Sequence, residues 1–174
     1  MRLSFVLTGA VVAAAAVALS AQKMEKPGIT NYTKVDAVVA CGGSTETSAL
    51  EGLKNDGFKA VINLREASEP GANIEENAAK AKALGLNYIH IPFNGQSPQT
   101  KTVDDFLAAV SNKANQPVYI HCGSANRVGA VWLVKRVMQD GWEVPKATDE
   151  AKMIGLRSAP LEQFALKYIQ DHKK

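Results

Sequence analysis

The chain has 174 residues, 46% of them hydrophobic and 21% charged, with a formal net charge of +3. Lys and Arg interleave with Asp and Glu instead of forming a basic block, which argues against nucleic acid as a partner. The histidines at 90, 121 and 172 show none of the spacings of a zinc site, so neither a metal nor another cofactor is expected.

Residues 1–21, MRLSFVLTGAVVAAAAVALSA, carry one positive charge at Arg2, then an Ala- and Val-rich stretch, then small residues. This reads as a secretory signal cut after Ala18 or Ser20, and it predicts a periplasmic or secreted protein. The competing reading is an uncleaved anchor, for which the apolar run Leu3 to Ala18 is short. Cleavage leaves residues 22–174, a length suited to one domain with one core, without stable membrane association.

From there the elements alternate. QKMEKPGITNYTK reads as irregular. Strands are predicted at 35–40 (VDAVVA), 59–64 (KAVINL), 87–92 (NYIHIP) and 117–122 (PVYIHC), each rich in Val, Ile or Tyr and bounded by Gly, Pro or Asn. Helices are predicted in STETSALEGLKNDG, capped at Ser44 or Thr45, and in ANIEENAAKAKALG, where Asn73 and Glu76 have capping-box spacing. A third starts at Thr102, with two acids in its first turn and Val103, Phe106, Leu107 and Val110 on one face. A fourth follows Cys122 to about Gly141, and two more cover about 148–154 and 160–171, with Pro160 in a first turn.

This order implies an α/β fold: a mostly parallel central sheet of four to five strands flanked by helices. Ligands bind such sheets at the carboxyl ends of the strands. Those ends are Cys41-Gly42-Gly43, Arg65-Glu66, Asn94-Gly95 and Cys122. Asn63 and Asn94 either line the resulting crevice or form turns, and Glu66 and Glu69 fall on a solvated loop or position Arg65.

The stretch PVYIHCGSANRVGAVWLVKR carries the chemistry. A strand, a short loop and a helix N-terminus make an anion site, because unpaired amides and the positive end of the helix dipole point the same way. Gly123, Ser124 and Ala125 are small enough for their amides to turn inward with that of Asn126, and Arg127 can close the ring on an oxyanion. Cys122 at its floor is the candidate nucleophile, favoured as thiolate by amides, dipole and guanidinium. His121 precedes it on the strand, so it faces the other way, either supporting the loop indirectly or as a core histidine.

AVINLREASEPG, GLNYIHIPFN and VYIHCGSANRVGAVWLV together resemble the bacterial beta-lactamase-hydrolase-like phosphatase family, a branch of the cysteine-dependent protein tyrosine and dual-specificity phosphatase fold, over about residues 32 to 145. The resemblance implies a phosphocysteine intermediate on Cys122, phosphate held by Arg127 and the amides of 123–127, Arg65 in the same pocket, and a phosphorylated or other oxyanionic substrate. Three departures stand out. The loop is Cys-x4-Arg where such phosphatases have five intervening residues. Val128 stands where they place Ser or Thr. PFNGQSPQTKTV (92–103) offers no carboxylate for a general acid, and Asp104 and Asp105, next along, suit a helix start. The short loop also resembles that of single-domain rhodaneses, which implies a Cys122 persulfide and sulfur transfer, although the other rhodanese signatures are missing. A non-catalytic anion- or partner-binding module is the third reading. Cys41, at the end of the first strand, is either an inert buried thiol or the partner of Cys122 in a disulfide switch, which would make a thiol reductant a further partner.

Overall fold

The computed structural model describes residues 21–173. The predicted signal, apart from its last residue, lies outside the described residues. The sheet has six strands in the order β1-β2-β3-β6-β4-β5: β1 Gln22–Lys23, β2 Thr33–Lys34, β3 Val39–Gly42, β4 Ala60–Asn63, β5 Asn87–His90 and β6 Val118–His121. The four strands β3, β6, β4 and β5 are parallel, while β1 and β2 extend the β3 edge antiparallel. The six helices are α1 Ala49–Asn55, α2 Ile74–Ala83, α3 Thr100–Ser111, α4 Asn126–Met138, α5 Val144–Ile154 and α6 Ala159–His172.

The N-terminal segment read as irregular therefore contributes two short strands. The stretch 35–40 is not one strand. Val35 and Asp36 donate their amides to Val39 O, and the Asp36 carboxylate accepts from Val38 N at 2.9 Å, so the Asp side chain closes a hairpin and β3 starts later. Helix starts also moved. Thr45 caps nothing, because its hydroxyl turns inward to Gly43 O and Tyr119 Oη. Asn73 adopts φ +46 and makes no side-chain cap. α3 starts at Thr100, which places Asp104 and Asp105 beyond its first turn, and α5 starts at Val144 with Pro145 early in it.

Side-chain alternation divides the core. Val39, Cys41, Ala60, Ile62, Val118, Ile120 and Cys122 face the cluster built with α3 to α6, whereas Ala40, Val61 and Tyr119 face α1 and α2. α4 is buried along most of its length, and Gly129 permits its contact with α5: a Cβ there would lie 2.8 Å from Ala151 O. At the end of α4 remote from Cys122, Arg136 and Glu150 form a buried ion pair at 2.6 Å, with Trp132 Nε1 donating to the same carboxylate at 2.7 Å. The carboxyl ends of the parallel strands converge on one edge, and the loop after β6 lies between those of β3 and β4.

Candidate active site

The loop Cys122–Asn126 is held by its neighbours on every side. Cys122 N donates to Gly42 O at 3.4 Å, which spends that amide on the sheet. Asn31 Nδ2 donates to Ser124 O at 3.3 Å. Asn126 Oδ1 accepts from Arg157 N at 2.9 Å and Ser158 N at 3.2 Å, so this side chain ties the loop to the α5–α6 junction and does not face a ligand. Ala125 has φ +68, a conformation that costs a residue with a Cβ about 1–2 kcal/mol. That turn starts α4 directly. The amides of Gly123 to Arg127 have no acceptor among the described residues, as expected for a nest opening into a helix N-terminus.

Cys122 lies at the floor, 1% exposed, on the α4 face of the sheet. Arg127 reaches across from the first turn of α4. Its Nη1 donates to Phe93 O at 2.9 Å, to Leu64 O at 3.3 Å and to Glu69 Oε1 at 2.5 Å, while Nη2 donates to Glu69 Oε2 at 2.8 Å. Burial pulls the guanidinium pKa down, but the Glu69 hydrogen bond and the Cys122 sulfur raise it above its ordinary value.

Glu69, expected either on a solvated loop or positioning Arg65, stands against both Arg65 and Arg127. Its carboxylate also accepts from Glu66 N at 2.7 Å and from Arg65 Nε at 3.2 Å. The Arg127 hydrogen bond, outweighing partial burial and aided by Glu66 N and Arg65, holds its pKa down at about 2. Arg65, predicted to line the pocket, is instead 6% exposed and spends its nitrogens on the 66–71 loop: Nη1 on Gly71 O at 2.8 Å, Nη2 on Pro70 O at 2.6 Å. It braces the loop that carries Glu69. The available sequence signal was position, since the loop after a strand adjacent to β6 opens at the same sheet edge.

The remaining candidates separate. Asn94 is a turn former: its Oδ1 accepts from Gln96 N and Ser97 N, and its Nδ2 donates to Glu66 Oε1 at 3.2 Å. Asn63 likewise bonds Arg65 N and Tyr88 Oη. Asp104 accepts from the Tyr168 hydroxyl and Asp105 pairs with Lys101, so neither carboxylate is committed to the cradle. His121 stacks on Tyr119 at 5.6 Å between ring centroids, on the face opposite Cys122. Burial, aided by the Arg65 charge, lowers its pKa to about 3, so the ring is neutral.

Both cysteines are free and buried. Burial, reinforced by the charges of Glu150 and Asp36, pushes the Cys41 thiol well above its ordinary range. Cys41 pairs with Ile120, two residues before Cys122. Steps of about 3.3 Å along and 4.8 Å across a parallel sheet put their Cα atoms about 8 Å apart, beyond disulfide reach without backbone movement.

Comparison with known proteins bears on the fold. The core catalytic domain of the PP-IP phosphatase SIW14 from S. cerevisiae superposes with a TM-score of 0.69 at 22% identity, covering 83% of this chain and 88% of that one. TpbA of P. aeruginosa gives 0.67 at 17% identity over 88% of this chain and 91% of its own, and a DUF442 protein of Shewanella putrefaciens CN-32 gives 0.72 at 19% over 84% and 96%. The fold is that of the cysteine-dependent phosphatases. In sequence, Probable NAD kinase 2, chloroplastic, of Oryza sativa subsp. japonica is 30% identical over 82 residues, which is 46% of this chain and 8% of that protein. The family model and the solved structures support the dual-specificity phosphatase-like resemblance, although the family matched is not the beta-lactamase-hydrolase-like branch. Residues 12–167 match the model for the DSP-PTPase phosphatase fused to NAD+ kinase, and the chain belongs to that family.

Proposed function

We propose that this chain is a cysteine-dependent phosphatase that uses Cys122 as nucleophile and the 123–127 loop with Arg127 as its oxyanion cradle. The observation that carries the reading is a loop with the buried Cys122 at one end and Arg127, clamped by Glu69, at the other, whose intervening amides have no acceptor among the described residues. Such a loop stabilises the charge that develops on the three non-bridging oxygens of a transferring phosphoryl group. The Cys122 sulfur attacks phosphorus, an S–P bond forms, and the P–O bond to the leaving group breaks with its electron pair going to that oxygen. Water then attacks phosphorus, the sulfur departs as thiolate, and inorganic phosphate is released.

The missing acid defines the substrate. With residues 92–103 free of carboxylates and Glu69 ionised, neither the loop after β5 nor Glu69 supplies a proton to the leaving oxygen. Esters and anhydrides with weakly basic leaving groups fit: aryl phosphates, acyl phosphates and phosphoanhydrides. Residues 1–21 complete the proposal with export to the periplasm or the medium, which N-terminal sequencing of the mature protein tests.

The deciding experiment is turnover of a series of aryl phosphates by the wild type and Cys122→Ser. Activity that is lost in the variant and falls steeply as the leaving phenol becomes more basic supports the reading. Thiosulfate-to-cyanide transfer lost in the same variant would assign a sulfurtransferase instead, and phosphate binding without either turnover would leave an anion-binding module.

A further inference from the structure

Every peptide plane in the loop carries a carbonyl on one side and the amide of the next residue on the other, because the bond is planar and trans. The plane joining Ser124 to Ala125 is held from outside. Ser124 O accepts from Asn31 Nδ2 at 3.3 Å, so the Ala125 amide, which has no acceptor among the described residues, points the opposite way. Asn31 is itself fixed, with φ +54. Before it, Thr30 N donates to Ser44 O at 2.9 Å and Thr30 O accepts from Gly43 N at 2.7 Å, while Asn31 O accepts from Thr33 Oγ1 at 3.2 Å and Lys23 Nζ at 3.4 Å. Gly43 lets this turn and the loop meet: a Cβ there would lie 2.5 Å from Thr30 Oγ1 and 3.3 Å from Gly123 O.

We infer that Asn31 is a positioning residue, which by holding Ser124 O outside the loop keeps the Ala125 amide turned toward an oxyanion above Cys122. This rests on reading the loop as an oxyanion cradle. The hold matters because the observed plane is the strained one. Turning it over by about 180° would carry φ of Ala125 from +68 to about −110, which a residue with a Cβ adopts readily. It would also bring Ser124 O inside, where its partial negative charge repels an anion. Relief of that strain and one hydrogen bond are of similar size, so the Asn31 amide decides which side the carbonyl takes. The competing account is that position 31 needs only a residue that tolerates positive φ, as Asn does better than most. Glycine separates the two, since it fits φ +54 without strain and has no amide to give.

The probe is inorganic phosphate, read as protection of Cys122 from alkylation by iodoacetamide, with stability followed by denaturant unfolding. Positioning predicts that Asn31→Gly keeps the stability of the wild type yet weakens phosphate binding by about fivefold or more, because the cradle is then open in only a minority of molecules. Asn31→Asp, which keeps the shape and the tolerance of positive φ but turns the donor into an acceptor, is expected to weaken binding at least as much and serves alone if Asn31→Gly does not fold. Adding Ala125→Gly to Asn31→Gly removes the penalty on φ +68 and should recover part of the loss, a rescue that a purely structural role would not give. Unchanged phosphate binding in a folded Asn31→Gly or Asn31→Asp, or a double variant that binds no better than Asn31→Gly, would overturn the inference. The readout needs no turnover: a wild type that binds phosphate but cleaves no ester would remove the phosphatase reading and leave the role of Asn31 standing, and a wild type that phosphate does not protect would remove both.

Discussion

Gly155 and Ala125 press together at the junction of α4 with the α5–α6 turn, and both have positive φ: +152 at Gly155 and +68 at Ala125. A Cβ at 155 would lie 2.9 Å from that of Ala125 and 3.1 Å from its carbonyl carbon. The contact backs the one loop residue whose conformation is unfavourable for its type. Gly155→Ala is therefore expected to cost about 2–4 kcal/mol from backbone strain and overpacking. It should also weaken phosphate protection of Cys122, because the cradle shifts with Ala125. Denaturant unfolding and the alkylation assay check both, and a stability loss with unchanged phosphate binding would show that the loop keeps its shape without this support.

Position 128 bears on the second chemical step. Val128 is fully buried directly after Arg127 and carries no hydroxyl to ease departure of the thiolate. Hydrolysis of phosphocysteine is expected to be slower than its formation, giving a burst of phenol in the first turnover and a phosphorylated Cys122 detectable by mass spectrometry. Val128→Thr, similar in volume, should shorten the life of the adduct. Arg127→Lys should lower the burst rate by about a hundredfold or more, as removal of an oxyanion donor does.

Two titrations set the acid side of the stability curve. Glu69, held at about 2 against an ordinary 4.5, contributes stability that is complete above pH 4.5 and is lost as pH falls toward 2. The melting-temperature gap between wild type and Glu69→Gln should thus be widest above pH 4.5 and close toward pH 2. His121, lowered to about 3 from 6.5 by burial, stays neutral in the fold while the unfolded chain takes up a proton below pH 6.5. The wild type should lose stability between pH 6.5 and 3, and His121→Gln should flatten that slope.

The Arg136–Glu150 pair supplies a test that leaves the cradle untouched. Both residues are 7% exposed, and Glu150 Oε2 also accepts from Trp132. Glu150→Ala takes the acceptor from Arg136 Nε and Trp132 Nε1 and leaves the guanidinium to Asp140 at 2.9 Å and Asp36 at 3.4 Å, and the buried donors left unsatisfied cost about 1–3 kcal/mol. The variant is expected to melt earlier yet to keep wild-type phosphate affinity at temperatures where it remains folded.

Local pattern carried the parallel strands, six helices and the Cys122–Arg127 loop, because a β-branched run ending in Cys, followed by small residues and an amphipathic stretch, has few ways to fold. The same pattern misplaced what depends on partners distant in the chain. The 35–40 run looked like one strand because its residues have β propensity, yet the Asp36 carboxylate closes a turn inside it. Asn73 and Glu76 matched a capping box that Asn73, at φ +46, does not make. The exchange of roles between Arg65 and Glu69 was decided only in three dimensions. Sequence placed both on one loop after β4, and a charged loop residue is usually solvated. Which of them meets Arg127, 58 residues after Glu69, was set by sheet order, which puts β4 beside β6, and by the Pro70 and Gly71 carbonyls that draw Arg65 away from the site and leave Glu69 to face the guanidinium.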